Sequence, residues 1–134
     1  MERVVSTVLL DTHVVHWWSS EPEKLSGQAT AAIEAADELA ISAISWFELA
    51  WLARHERIVL ATPVRRWLEE LARDLRTVGL SPAIADAAVA LPSTFPGDPA
   101  DRIIYATAIE TGWPLVTKDR ALRRHRHPRR ITLW

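Results

Sequence analysis

Short apolar runs rich in β-branched residues alternate with helical patterns along the chain, and this order predicts an α/β fold. The expected architecture is a three-layer α/β/α sandwich around a mostly parallel sheet. Two further observations agree. The 134 residues contain no repeat, no low-complexity stretch and no dividing linker, so residues 1–134 read as one domain. Hydrophobic residues make up 49% and charged residues 25%, enough to bury a core while staying soluble.

The elements follow in chain order. Val4 to Leu10 reads as a buried strand, and Thr12 to Trp18 turns into a helix. Leu25 to Ala36 is alanine-rich and helical. Leu39 to Ile41 is a second strand, followed by Ile44, Phe47, Trp51 and Leu52 at helical spacing. Thr62-Pro63, Ser81-Pro82 and Asp98-Pro99 each mark a helix start, because proline suits a first helical position whose N–H has no partner. Thr77 to Leu80, Leu115 to Thr117 and Arg130 to Trp134 complete the strands. Trp46, Trp51 and Trp67 fall in helical patterns and are assigned to the core, whereas adjacent Trp17 and Trp18 cannot both face it.

Several classes are excluded at once. Cysteine is absent, which removes disulfides, thiolate zinc sites and a cysteine nucleophile, and fits a reducing cytoplasm. No apolar run approaches the roughly 20 residues that span a bilayer, and Met1-Glu2-Arg3 does not open a signal peptide. The net charge of −1 is unevenly spread. Residues 1–117 carry 16 acids and 9 bases, for −7; residues 118–134 carry 7 bases and 1 acid, for +6. The run from Arg123 to Arg130 therefore reads either as a solvated turn or as a phosphate-binding patch, with Arg123, Arg124, Arg129 and Arg130 as its contacts.

In such sheets ligands bind beyond the carboxyl ends of the strands. Asp11 directly follows the first strand, and Glu48 lies on the helix after the second. Asp101 is the third residue of the Asp98-Pro99 helix, and Asp119 follows the Leu115–Thr117 strand. Each has an ordinary explanation: an N-cap for Asp11, a capping box with Ser45 for Glu48, helix-dipole compensation for Asp101, a surface pair for Asp119. Asp98 reads as an N-cap alone. Together the four acids would repel one another and resist ionisation unless a cation offset them. An all-carboxylate set without cysteine suits Mg²⁺, with Mn²⁺ possible, and such ions serve phosphodiester hydrolysis by metal-activated water. Thr12 and Thr117 sit beside the acids, where they orient a carboxylate or cap a helix. Arg102 either contacts a phosphate or pairs with Asp98.

The residues also carry a family resemblance. Leu9-Leu10-Asp11-Thr12-His13, Ile41 to Glu48, Asp98-Pro99-Ala100-Asp101-Arg102 and Pro114 to Asp119 resemble, in order and spacing, the four acidic segments of PIN domains. The overall likeness is to VapC-type toxins, the ribonuclease half of toxin–antitoxin pairs, and the opening segment resembles the branch paired with Phd/YefM-type antitoxins. This implies a Mg²⁺-dependent endoribonuclease with Asp11, Glu48, Asp101 and Asp119 as its acid set. It also implies an antitoxin partner, an RNA substrate and a homodimer. One departure is visible: Pro96 stands where that branch often has a histidine. Two other readings stay open. One is a dehalogenase-like phosphotransfer enzyme with Asp11 as nucleophile, although His13 occupies the place of its usual second aspartate. The other is a catalytically silent PIN fold that binds RNA or antitoxin.

Overall fold

The computed structural model describes residues 5–134. Five short strands pair in parallel: β1 (Thr7–Leu10), β2 (Glu38–Ser42), β3 (Arg76–Val78), β4 (Leu115–Val116) and β5 (Thr132–Leu133). Their order in the sheet is β3-β2-β1-β4-β5. The chain thus winds outward from β1 in both directions, and the order reverses between β1 and β4.

The alternation of β1 explains the layers. Val8 and Leu10 point into one core, and Leu9 into the other. Ile41 and Val116 join the first, and Ala40 and Leu115 the second. The first core is covered by α1 (Thr12–Ser20), α2 (Gly27–Ala35), α3 (Ala43–Arg54) and α4 (Val64–Ala72). The second lies under α6 (Pro99–Thr111) and α7 (Arg120–Arg124), with α5 (Pro82–Ala90) packed against α6. This is the expected three-layer sandwich. Strands buried on both faces read as continuous apolar runs because neither face meets water.

Several details depart from the sequence reading. Strand β1 begins at Thr7; Val5 and Ser6 lie outside it, and Val4 falls outside the described residues. Ser81 and Asp98 cap their helices with Pro82 and Pro99 in the first turn, as expected. At Thr62-Pro63 the boundary moves by one: Pro63 is itself the cap residue, offers no side-chain bond, and α4 starts at Val64. Trp67 is buried, but Trp46 is only half-buried, donating its indole N–H to Thr77 Oγ1 at 3.0 Å, and Trp51 is exposed. Their helical spacing marks a face of α3, and part of that face is left uncovered. Trp17 and Trp18 are both half-buried against the first core. No helix among the described residues is long and apolar enough to cross a membrane.

Candidate functional site

The reversal of strand order opens a crevice at the carboxyl ends of β1 and β4, where a doubly wound sheet binds its ligand. The register places Leu10 opposite Val116. The next residues out, Asp11 and Thr117, therefore meet at the crevice floor. The Thr117 hydroxyl donates to Asp11 Oδ2 at 2.7 Å, and the hydroxyl oxygen itself accepts the Asp119 N–H at 3.0 Å. The other carboxylate oxygen of Asp11 accepts the Thr12 N–H at 2.8 Å, so Asp11 also caps α1. Both oxygens are thus fixed in direction while the side chain is buried.

Glu48 enters from α3. The Thr12 hydroxyl lies 2.6 Å from Glu48 Oε1 and 2.9 Å from the buried Ser45 hydroxyl. Ser45 and Glu48 therefore do not form a capping box. Helix α3 starts three residues earlier, with Ser42 as its cap, so both side chains are free to face α1. Asp101 arrives on the first turn of α6, and Asp119 caps α7 by accepting the N–H groups of Ala121 and Leu122. All four acids line one cavity of about 570 Å³, together with Asp98, Thr12, His13, Trp17 and Lys118.

The electrostatics follow from this crowding. Burial raises the pKa of Asp11, opposed by its bonds to Thr117 and Thr12. Burial also raises that of Glu48, with Asp11 and Asp98 adding to it. Asp101 is pushed up to about 7, first by burial and then by the charges of Asp98, Asp11, Asp119 and Glu48. The acids face one cavity without closing on one point: among the described residues, no three acidic or histidine side chains converge tightly enough to form a ready cage for a metal ion. The donor chemistry still fits a hard divalent cation. Mg²⁺ keeps several of its waters, so carboxylates around an open cavity can hold it partly through them.

Two assignments change. Asp98 caps α6 as expected, accepting the Ala100 N–H at 2.8 Å, but it also lines the cavity and is the foremost charge acting on Asp101. The three-residue spacing of the two aspartates, one helical turn, was the signal for this. Arg102 does not pair with Asp98, and its donors are committed within the protein. Its five N–H groups go to the carbonyl oxygens of Ala88, Leu91, Pro92, Phe95 and Pro96, at 2.9 to 3.3 Å. A planar fork with five donors satisfies a folded-back loop in a way no other side chain can. Pro96 takes part through its carbonyl. His13 is exposed and stacks on Trp17, and the His16 Nε2 lies 3.1 Å from Glu21.

An acid-lined crevice at the switch point of a five-stranded parallel sheet, between two helical layers, defines the class. The PIN domain model matches residues 8–128, and the chain belongs to the PIN domain family. Within it the chain is of VapC type. It is 68% identical over 130 residues to ribonuclease VapC22 of Mycobacterium tuberculosis (strain ATCC 25618 / H37Rv), spanning 97% of this chain and all of that protein. A toxin–antitoxin complex from Klebsiella pneumoniae contains a chain with TM-score 0.62 and 27% identity, covering 84% of this chain and 86% of that one. VapBC2 from Rickettsia felis, bound to a DNA fragment of its promoter, shares the fold, with TM-score 0.67 and 18% identity over 95% of this chain and 97% of that one. The dehalogenase-like reading is set aside by this membership.

Proposed function

We propose that this chain is the ribonuclease toxin of a type II toxin–antitoxin pair, a Mg²⁺-dependent endoribonuclease that also works with Mn²⁺. The observation that carries the reading is the meeting of Asp11, Glu48, Asp101 and Asp119 in one cavity at the β1/β4 switch point. The relative named ribonuclease VapC22 supports it. Asp11 and Asp101 would hold the cation directly, and Glu48 and Asp119 directly or through water. The chemistry such a cation supplies when bound is a more acidic water and charge compensation at the scissile phosphate. The protein's own part is positional. Thr117 fixes Asp11, Thr12 fixes Glu48, and the crowding that holds the metal-free Asp101 carboxyl up to about 7 is what a bound cation would relieve.

The partners belong to the same reading: an RNA substrate, a cognate antitoxin of Phd/YefM type, and a second copy in a homodimer. Phe47 and Trp51 lie exposed beside Glu48 and give a protein partner an apolar rim next to the acids. The deciding experiment uses purified, partner-free protein and structured RNA. Cleavage should require Mg²⁺ or Mn²⁺, stop with a chelator, and vanish in a cooperatively folded Asp11→Asn or Asp101→Asn protein. Undiminished cutting in excess EDTA would falsify the metal mechanism. No cutting under any condition, with RNA binding intact, would support the silent binding module instead.

A further inference from the structure

Two cavities flank the acidic crevice, and they differ in kind. One, of about 240 Å³, continues from Thr12, His13 and Glu48 onto Phe47, Trp51 and Leu52, and no lysine or arginine lines it. The other is a recess of about 870 Å³ along edge strand β5, walled by Arg120, Arg123, Arg124, Arg126, Arg129 and Arg130. The recess and the crevice share a wall. Asp119 lines the crevice and its neighbour Arg120 the recess. Trp17 lines the crevice and packs, at 6.1 Å between ring centroids, on Trp134 of the recess. Lys118 stands at the join, 5.7 Å over the Trp17 ring.

The charge of this recess is uncompensated. Among the described residues no carboxylate lies within ion-pair distance of its six arginines. Arg129 is the one most tied to the backbone, donating to the Ile109 carbonyl at 2.8 Å. Such a concentration of cations costs free energy through self-repulsion and is relieved by a polyanion.

We propose that this recess carries the RNA strand on one side of the scissile phosphate only, so that the substrate footprint is asymmetric. The proposal rests on the ribonuclease reading of the crevice. A strand whose phosphodiester lies among the carboxylates has a cationic side to leave by, past Lys118 in the crevice and on to Arg120 and the other arginines of the recess. Towards Phe47 and Trp51 it meets a cavity lined by no lysine or arginine, where Glu48 repels phosphate and the His13 and Trp51 rings hold the only nitrogen donors among the lining side chains. Arginine forks suit phosphate oxygens and carry no base preference, so the recess supplies affinity and direction, and sequence choice arises elsewhere.

The test reads binding without cleavage, in EDTA, with a labelled single-stranded ribo-oligonucleotide titrated across KCl concentrations. Arg123→Ala/Arg124→Ala and Arg126→Ala/Arg130→Ala should each flatten the log–log salt slope by roughly 0.7 for every phosphate no longer neutralised. The lysine versions should retain most of it. Arg65→Ala/Arg66→Ala on α4, whose arginines pair with Glu69 and Glu70, should leave it unchanged. On an RNA oligonucleotide that the protein cuts at one mapped position with Mg²⁺, shortening on one side of that position should raise KM, and shortening on the other side should not. Equal rises from both sides, or an unchanged slope in both double variants, overturns the proposal. So does arginine-dependent binding of polyglutamate with an unaltered RNA slope, which would give the recess to an acidic peptide. If the wild type binds with this slope yet cuts no RNA with Mg²⁺ or Mn²⁺, the ribonuclease reading and the one-sided footprint that rests on it both fail, while RNA binding by the recess stands.

Discussion

Thr117 serves the site with a single hydroxyl. It donates to Asp11 and accepts from the Asp119 backbone, tying the first acid to the loop that carries the fourth. Residues 106 apart in sequence are thereby held by one buried bond. The Asp101 carboxylate is placed differently, and its crowding has a measurable consequence. Its native pKa of about 7 lies above the ordinary 3.8, so between these values the folded protein binds a proton that the unfolded chain releases. Stability from this group is therefore fully present below pH 3.8 and is lost as pH rises towards 7. Asp101→Asn keeps the shape and removes the titration. In metal-free buffer the variant should match the parent near pH 4 and exceed it in thermal midpoint at pH 8. Equal midpoints at both pH values would show that Asp101 is solvated and unstressed.

At the scale of elements, the Asp98–Arg102 segment links a loop to the site. Asp98 starts α6, Asp101 faces the crevice, and Arg102 turns back to bind the carbonyls of residues 88 to 96. The end of α5, the loop after it and the first turn of α6 are thus one unit. The Arg102 guanidinium also lies 5.7 Å over the ring of Phe95, which is buried with Tyr105. Arg102→Ala takes the guanidinium donors from five carbonyls, of which that of Pro92 keeps the Phe95 N–H. At about 1.5–3 kcal/mol for a bond to a charged group, discounted for partial exposure, the loss should be about 3 kcal/mol. Arg102→Lys keeps the charge and loses the fork, so it should recover less than half. Urea unfolding measures both, and hydrogen exchange at residues 93–97 should quicken before the rest of the chain is affected. A loss under about 0.5 kcal/mol would mean that the loop is held by packing alone.

For the molecule as a whole, the crevice concentrates negative charge between two helical layers, with Lys118 as the one lysine or arginine lining it among the described residues. A cation that binds only the native state stabilises it by mass action, about 2.7 kcal/mol at a hundredfold excess over its dissociation constant. Mg²⁺ or Mn²⁺ should therefore raise the thermal midpoint. The rise should be larger at pH 8 than at pH 5, because raised pKa values leave the acids partly protonated at the lower pH. Asp11→Asn should abolish most of the shift. A midpoint indifferent to both ions at pH 8 would argue that the acids do not act together.

The sequence by itself determined the alternation of strands and helices, the doubly buried β1 and the identity of the four acids. These are local matters: apolar runs, proline-marked helix starts at Ser81 and Asp98, and carboxylates placed where strands end. Tertiary structure decided what those residues touch. Whether Glu48 closed its own helix or reached Thr12 depended on α3 starting at Ala43, three residues before the start that a Ser45 cap would set. Whether Arg102 turned to Asp98 or to the loop carbonyls depended on the loop after α5 folding back over α6, and no spacing within the motif encodes that return. The closeness of Asp98 to Asp101 is local and visible in their spacing, whereas its place in the same cavity as Asp11 and Asp119 came from the sheet order. Distance between charges is a property of the fold, and at this site burial and the gathered carboxylates push Asp101 up to about 7.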